Sequence, residues 1–211
     1  MSIHRLPRRG CLSVLLVLLP CAAVLWTAGC SSPPGDAEAP AGAESSGGAH
    51  GVIQTDTGAI EIEFFAADAP KAVENFRLLA ERGYYDGLTF HRIVQGFMIQ
   101  GGDPAGDGTG GESAWGGSFE DAIDPQSELY RSGYRRGIVA MANAGPDTNG
   151  SQFFIMHQDY SLPPNYVIFA RVTAGMDVVD GIAETPTTRG ADGGMSRPLT
   201  PPVISSITIR P

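Results

Sequence analysis

The stretch FHRIVQGFMIQGGD, Phe90 to Asp103, alternates apolar and polar residues as a strand does, turns at Gln95-Gly96 and alternates again. Strand parity places Arg92, Met98 and Gln100 on one side, and Phe97 joins them only if the turn breaks the register. His91 falls on the opposite side, where an interior hydrogen bond is expected for its ring. A guanidinium set among large hydrophobes is the feature that needs a reason. On an isolated strand it would be read as a solvated charge.

Upstream, VIQTDTGAIEIEFF forms two alternating runs about Asp56-Thr57-Gly58, a hairpin signal with Ile60, Ile62 and Phe64 on one face. DAPKAVENFRLLAERG follows, with Asp68 placed to cap, Pro70 suited to a first turn, and Val73, Phe76, Leu79 and Ala80 at helical spacing. Gly83 closes that helix. Downstream, the runs GIVAMAN, SQFFIMH, YVIFARV and VISSITI alternate with glycine-heavy loops. A second helical pattern, GMDVVDGIA, sets Met176, Val179 and Ile182 on one side. Many short strands with two helices predict a mainly β chain, a closed antiparallel barrel whose ends the helices cap. Asn149-Gly150 reads as a turn.

The 23 acidic residues outweigh 14 basic ones, for a formal charge of −9, and Lys71 is the single lysine. Neutralising a phosphate backbone requires clustered Lys and Arg, so nucleic-acid binding is not expected. Cysteine occurs only at positions 11, 21 and 30, so residues beyond 30 offer neither a disulfide nor a thiolate metal site. His157 has no partner at ligand spacing, is read as structural, and no metal is expected.

Residues 1–29 have the form of an export signal: Arg5, Arg8 and Arg9, then the apolar run CLSVLLVLLPCAAVLW, then TAG before Cys30. TAGC resembles a bacterial lipobox, which implies lipid attachment at Cys30 and an extracytoplasmic, membrane-anchored protein of the bacterial cell envelope. A soluble secreted product is the alternative. Residues 30–51, rich in Ser, Pro, Gly and Ala, are read as a flexible tether, and 52–211 as the folded domain.

With the opening stretch, a second segment, MANAGPDTNGSQFFI (Met141 to Ile155), resembles the cyclophilin family of peptidyl-prolyl cis/trans isomerases, and the similarity extends from about Val52 to Ile209. The resemblance implies an eight-stranded barrel with two capping helices, rotation of X-Pro bonds in proline-containing polypeptides, no cofactor, and a monomer. It assigns Arg92 as the catalytic guanidinium and Gln100 as the residue that orients it. It gives Phe97, Met98, Phe154 and Leu162 to the proline socket. Ala142, Asn143 and Gln152 fall to the substrate groove, Asn143 through its main chain. Gly101, Gly102, Gly108, Gly110 and Gly111 would shape the adjoining loop. The sequence departs from familiar members in SLPPNY, where Ser161 stands for Trp and Tyr166 for His, in a loop about one residue shorter. Tyr166 can still supply an aromatic wall, while loss of the indole implies weak cyclosporin binding. Two rival roles are a catalytically weak proline-peptide binding module and a scaffold that uses the acidic surface.

Overall fold

The computed structural model describes residues 49–210; Cys30, the leader and most of the expected tether lie outside them. The first strand, β1 (His50–Thr55), starts two residues before the boundary expected at Val52. It turns at Thr55–Gly58 into β2 (Ala59–Phe64). The Thr55 Oγ1 takes the Gly58 N–H at 3.0 Å, and Gly58 sits at φ 147° where a Cβ would strike Val178 at 2.7 Å. Only glycine satisfies both conditions there.

Helix α1 (Pro70–Glu81) begins with Pro70 in its first turn and buries Val73, Phe76, Leu79 and Ala80. Its N-cap is Ala69, with no side-chain cap, rather than the expected Asp68. The backbone N–H groups of Asp68 and Ala69 both donate to Phe65 O, so a backbone turn leads into the helix, and Pro70 has no N–H to satisfy. Gly83, at φ 66°, ends it, with the Gly83 N–H on Ala80 O and the Tyr84 N–H on Leu79 O. The chain continues through β3 (Arg92–Val94), β4 (Met98–Gly101), α2 (Glu128–Ser132), β5 (Ile138–Met141), β6 (Phe153–Met156), β7 (Ile168–Ala174), α3 (Met176–Ala183), β8 (Thr187–Arg189), β9 (Met195–Pro198) and β10 (Ile204–Arg210).

Eight strands form one antiparallel sheet in the order β10-β1-β2-β7-β5-β6-β4-β3, and β8 pairs with β9 separately. The end strands β3 and β10 share no ladder. They are linked just ahead of each strand by a Thr89–Val203 bridge, with the Phe90 N–H on Pro202 O at 2.9 Å and the Ile204 N–H on Leu88 O at 2.7 Å. The closed barrel expected from sequence is thus corrected to a curled sheet with a narrow link between its ends. Pro201 and Pro202 have no N–H with which to extend a ladder there.

The concave side of the sheet holds Ile53, Ile60, Ile62, Ile93, Ile99, Phe153, Ile155 and Phe169, all fully buried. Phe76 inserts from α1 among Phe64, Tyr85, Phe153 and Phe169, with ring centroids 5.1–5.9 Å away. Val179 and Ile182 of α3 join this core. Strands β4 to β7 are also apolar on the other side, where Met98, Ala140, Phe154, Met156 and Ile168 form a second cluster.

The one-turn α2, capped by the Ser127 Oγ, and the β8–β9 hairpin were not anticipated, since SELYRSG is too short for a period and TTRGADGGMSRP does not alternate. Asn149-Gly150 is not a turn. Asn149 is fully buried in a bridge to Phe119, donating its side-chain amide to Phe119 O and Asp121 Oδ1, and the chain reverses earlier, at Pro146-Asp147.

Candidate active site

The β3–β4 hairpin places the guanidinium. Its ladder pairs Arg92 with Gln100, Ile93 with Ile99 and Val94 with Met98, so the two isoleucines face the core while Arg92, Gln100 and Met98 face outward. The turn between them is tight: Phe97 N–H donates to Val94 O at 2.9 Å, and Gly96 takes φ 81°. His157 holds this turn through two bonds, its own N–H on Phe97 O and its ring Nδ1 accepting the Gly96 N–H, each at 2.9 Å. Its Nε2 lies 3.2 Å from Asp180 of α3. This brace presents Phe97 next to Met98 on the outer face, the break of register that parity required.

A chain of side-chain amides runs away from the guanidinium. Arg92 Nη1 donates to Gln100 Oε1 at 3.2 Å, Gln100 Nε2 to Gln152 Oε1 at 2.8 Å, and Gln152 Nε2 to the carbonyls of Gly108 and Gly110 at 3.1 and 2.8 Å. Arg92 Nη1 also lies 3.8 Å from Met98 Sδ, and its Nε donates to Asp192 Oδ2 at 2.9 Å. Nη2 has no partner among the described residues. The guanidinium is about one-third exposed, so it is neither buried nor saturated by its acidic neighbour.

The loop that receives this chain is held by Asp103, which is 1% exposed and was not singled out in the sequence. Its carboxylate accepts the N–H groups of Ala105, Asp107 and Gly108 at 2.9, 3.1 and 2.6 Å. Of the loop glycines, Gly110 and Gly111 cannot carry a side chain, since a Cβ would stand 2.4 Å from Asp103 Oδ1 and 2.2 Å from Ser151 Oγ respectively. His91 is buried beneath the loop, but both its ring nitrogens lack hydrogen-bond partners, which corrects the expectation of a satisfied ring. Burial pushes its pKa below the ordinary histidine value, although Asp103 opposes the shift.

Met98 and Phe154 form the floor of the apolar surface beside Arg92, with Phe97, Ala142, Leu162 and Tyr166 packed about it. Tyr166 stands edge-on to Phe154, with centroids 5.4 Å apart at 88°. Tyr134, invisible as a site residue in the sequence, fixes that wall: its Oη donates to Tyr166 O at 2.9 Å and accepts the Tyr166 N–H at 3.1 Å. Asn143 lies beyond Ala142. Its side chain donates to Asn165 O at 2.9 Å, while its own main-chain N–H and C=O have no partner among the described residues. Gln100, Ala142, Asn143 and Gln152 line a recess of about 270 Å³. The structure therefore gathers every site residue expected within the described region onto one face.

A profile described as "Cyclophilin type peptidyl-prolyl cis-trans isomerase/CLD" matches residues 51–209. The chain belongs to the cyclophilin family. It is 49% identical over 160 residues to "Peptidyl-prolyl cis-trans isomerase 9" of Schizosaccharomyces pombe, across 75% of this chain and 25% of that one. It is 44% identical over 161 residues to "Peptidyl-prolyl cis-trans isomerase CYP18-1" of Arabidopsis thaliana, across 74% of this chain and 93% of the relative. The region shared with the larger relatives spans only 21–25% of their length. A cyclophilin-type isomerase of Cryptosporidium parvum, solved in the presence of the dipeptide Ala-Pro, superposes with a TM-score of 0.66 at 38% identity, over 77% of this chain and 99% of that one.

Within this cyclophilin the departures in SLPPNY acquire a setting. Ser161 is exposed and borders, with Leu162 and Tyr160, a recess of about 290 Å³. Tyr160 is half-exposed and packs on Phe97 with centroids 4.4 Å apart, so an aromatic ring flanks the apolar surface one residue before the position assigned to Trp. The stacking of Tyr160 on Phe97 was not legible in the sequence.

Proposed function

We propose that this cyclophilin domain is a peptidyl-prolyl cis/trans isomerase in which Arg92 acts on the rotating X-Pro bond. Amide resonance sets a barrier of ~18–20 kcal/mol to that rotation. A donor aimed at the prolyl nitrogen localises its lone pair, and a donor on the neighbouring carbonyl holds the twisted form, so both favour the transition state over either planar isomer. The observation that carries the reading is the guanidinium, about one-third exposed and fixed by Gln100 beside the Met98–Phe154 floor, with Nη2 unengaged. The proline ring rests on that floor under Tyr166, Leu162 and Phe97. The unpartnered main-chain groups of Asn143, next to Ala142 and Gln152, pair with the peptide backbone. No acid, base or nucleophile is required.

Protease-free exchange measurements on an Ala-Pro peptide test this reading. The wild type accelerates exchange, and Arg92→Ala reduces kcat/KM by about 100-fold, ~2.7 kcal/mol of lost transition-state stabilisation. Peptide binding by the wild type without acceleration would identify a binding module instead. Full biological function after loss of the groove would identify a scaffold.

The setting is part of the proposal: Cys30 is taken to carry a diacylglycerol and to hold a monomeric domain at an extracytoplasmic bacterial membrane, serving exported chains. The basic residues, apolar run and Ala28-Gly29-Cys30 support it. Acyl transfer contributes about 0.8 kcal/mol per buried methylene, so two or more chains give lasting attachment. Metabolic lipid labelling tests it, with label expected on the wild type and absent from Cys30→Ser.

A further inference from the structure

We infer that Asp192, at the tip of the β8–β9 hairpin, is a positioning residue for Arg92. The inference deepens the isomerase reading and rests on it. The hairpin packs β9 against β3, and its tip is built around one carboxylate whose two oxygens do different work. Oδ1 is tied to the hairpin itself, accepting Ser196 Oγ at 2.6 Å and the Gly194 N–H at 3.0 Å. Oδ2 is thereby left to meet Arg92 Nε at 2.9 Å. Ser196 is 2% exposed, and Gly190 admits it closely, since a Cβ there would stand 2.2 Å from the Ser196 Oγ. The carboxylate is thus fixed before it meets the guanidinium.

Two elements far apart in sequence then hold one group. Gln100 takes Nη1 from β4, Asp192 takes Nε from the hairpin, and Nη2 remains for a ligand. An arginine side chain otherwise loses rotamer freedom when it is immobilised. Ordering it in the free enzyme removes that cost from the rate-limiting step, which is how supporting contacts make a charged group effective. The negative carboxylate also offsets part of the guanidinium's positive field, so the net effect on rate has a definite sign that experiment can read. Positioning predicts that removal of the carboxylate slows the reaction, and charge withdrawal alone predicts that it speeds it.

The test combines kinetics with a double-mutant cycle and the Arg92 Nε–Hε signal in NMR. Asp192→Ala and Asp192→Asn are expected to lower kcat about tenfold and about threefold, with KM within about twofold. In an Arg92→Ala background Asp192→Ala should have no further effect. The Hε proton should exchange slowly in the wild type and rapidly in Asp192→Ala. Ser196→Ala, which frees the carboxylate without removing it, should give a smaller loss and guards against misfolding of the tip. Unchanged or increased kcat in Asp192→Ala, or an equal loss with and without Arg92, would overturn the inference. Arg92→Ala alone separates the two levels: if it retains the wild-type rate the isomerase role of Arg92 fails, whereas if only the Asp192 variants retain it the positioning role fails.

Discussion

Gln100 stands directly across the β3–β4 ladder from Arg92 and accepts its Nη1 at 3.2 Å, while its own amide donates to Gln152 at 2.8 Å. Gln100 can do both only in one amide orientation, and the donation to Gln152 selects it. Gln100→Leu keeps the bulk but removes both bonds, leaving Nη1 with only the Met98 sulfur nearby. We expect kcat/KM to fall about tenfold, ~1.4 kcal/mol, by the exchange assay. The melting temperature should move little, because Arg92 and Gln100 are only partly buried. A wild-type rate in Gln100→Leu would show that the ladder partner does not orient the guanidinium.

Asp103 predicts a coupled loss of stability and activity. Its buried carboxylate accepts three loop N–H donors, from Ala105, Asp107 and Gly108, and a hydrogen bond to a charged group contributes about 1.5–3 kcal/mol net. Asp103→Ala should destabilise the domain by roughly 2–4 kcal/mol in denaturant unfolding. The same loop supplies the Gly108 and Gly110 carbonyls that hold Gln152, so peptide affinity should fall with it. Loss of stability without loss of affinity would uncouple the loop from the groove.

How much of this was written in the sequence depends on distance along the chain and on alternation. Arg92, Met98 and Gln100 share a face by period two alone, and the structure keeps them there. In β6 the period fails: Phe153, Phe154, Ile155 and Met156 are all buried, because the sheet is apolar on both sides at that point. The resemblance, not the pattern, assigned Phe154 outward. Tyr134 meets Tyr166 across 32 residues and Asp192 meets Arg92 across 100, through a hairpin that shows no strand period. Such pairings depend on the closed-up path of the chain, and local propensity carries no trace of them. His91 is buried, as the sequence reading implied, but the unpartnered state of its ring is a property of the packing around it.

Tyr134→Phe isolates one bond pair. The phenol is nearly buried and is both donor to the Tyr166 carbonyl and acceptor from its N–H, so its removal leaves two main-chain groups without that partner. The cost should be about 1–3 kcal/mol in stability. Because the ring of Tyr166 walls the proline floor, KM should rise severalfold with kcat nearly unchanged, the signature of lost uniform binding. A fall in kcat at constant KM would assign Tyr134 a different role.

The same tyrosines set an alkaline limit. Burial raises the Tyr130 and Tyr134 pKa values to about 12, and that of Tyr85, fully buried with its Oη on Ser151 O, well above the ordinary value. An unfolded chain releases these protons near pH ~10. Between about 10 and about 12 the folded state therefore binds more protons than the unfolded state, so stability is complete below pH ~10 and declines as pH rises through ~12. Tyrosinate absorbance should show Tyr85, Tyr130 and Tyr134 resisting titration at pH ~11 in the folded protein and releasing their protons once it unfolds. Denaturant midpoints should fall across the same interval, and Tyr130→Phe should shrink the fall. Titration of these three near pH ~10 in the folded protein would mean that their phenols are open to water.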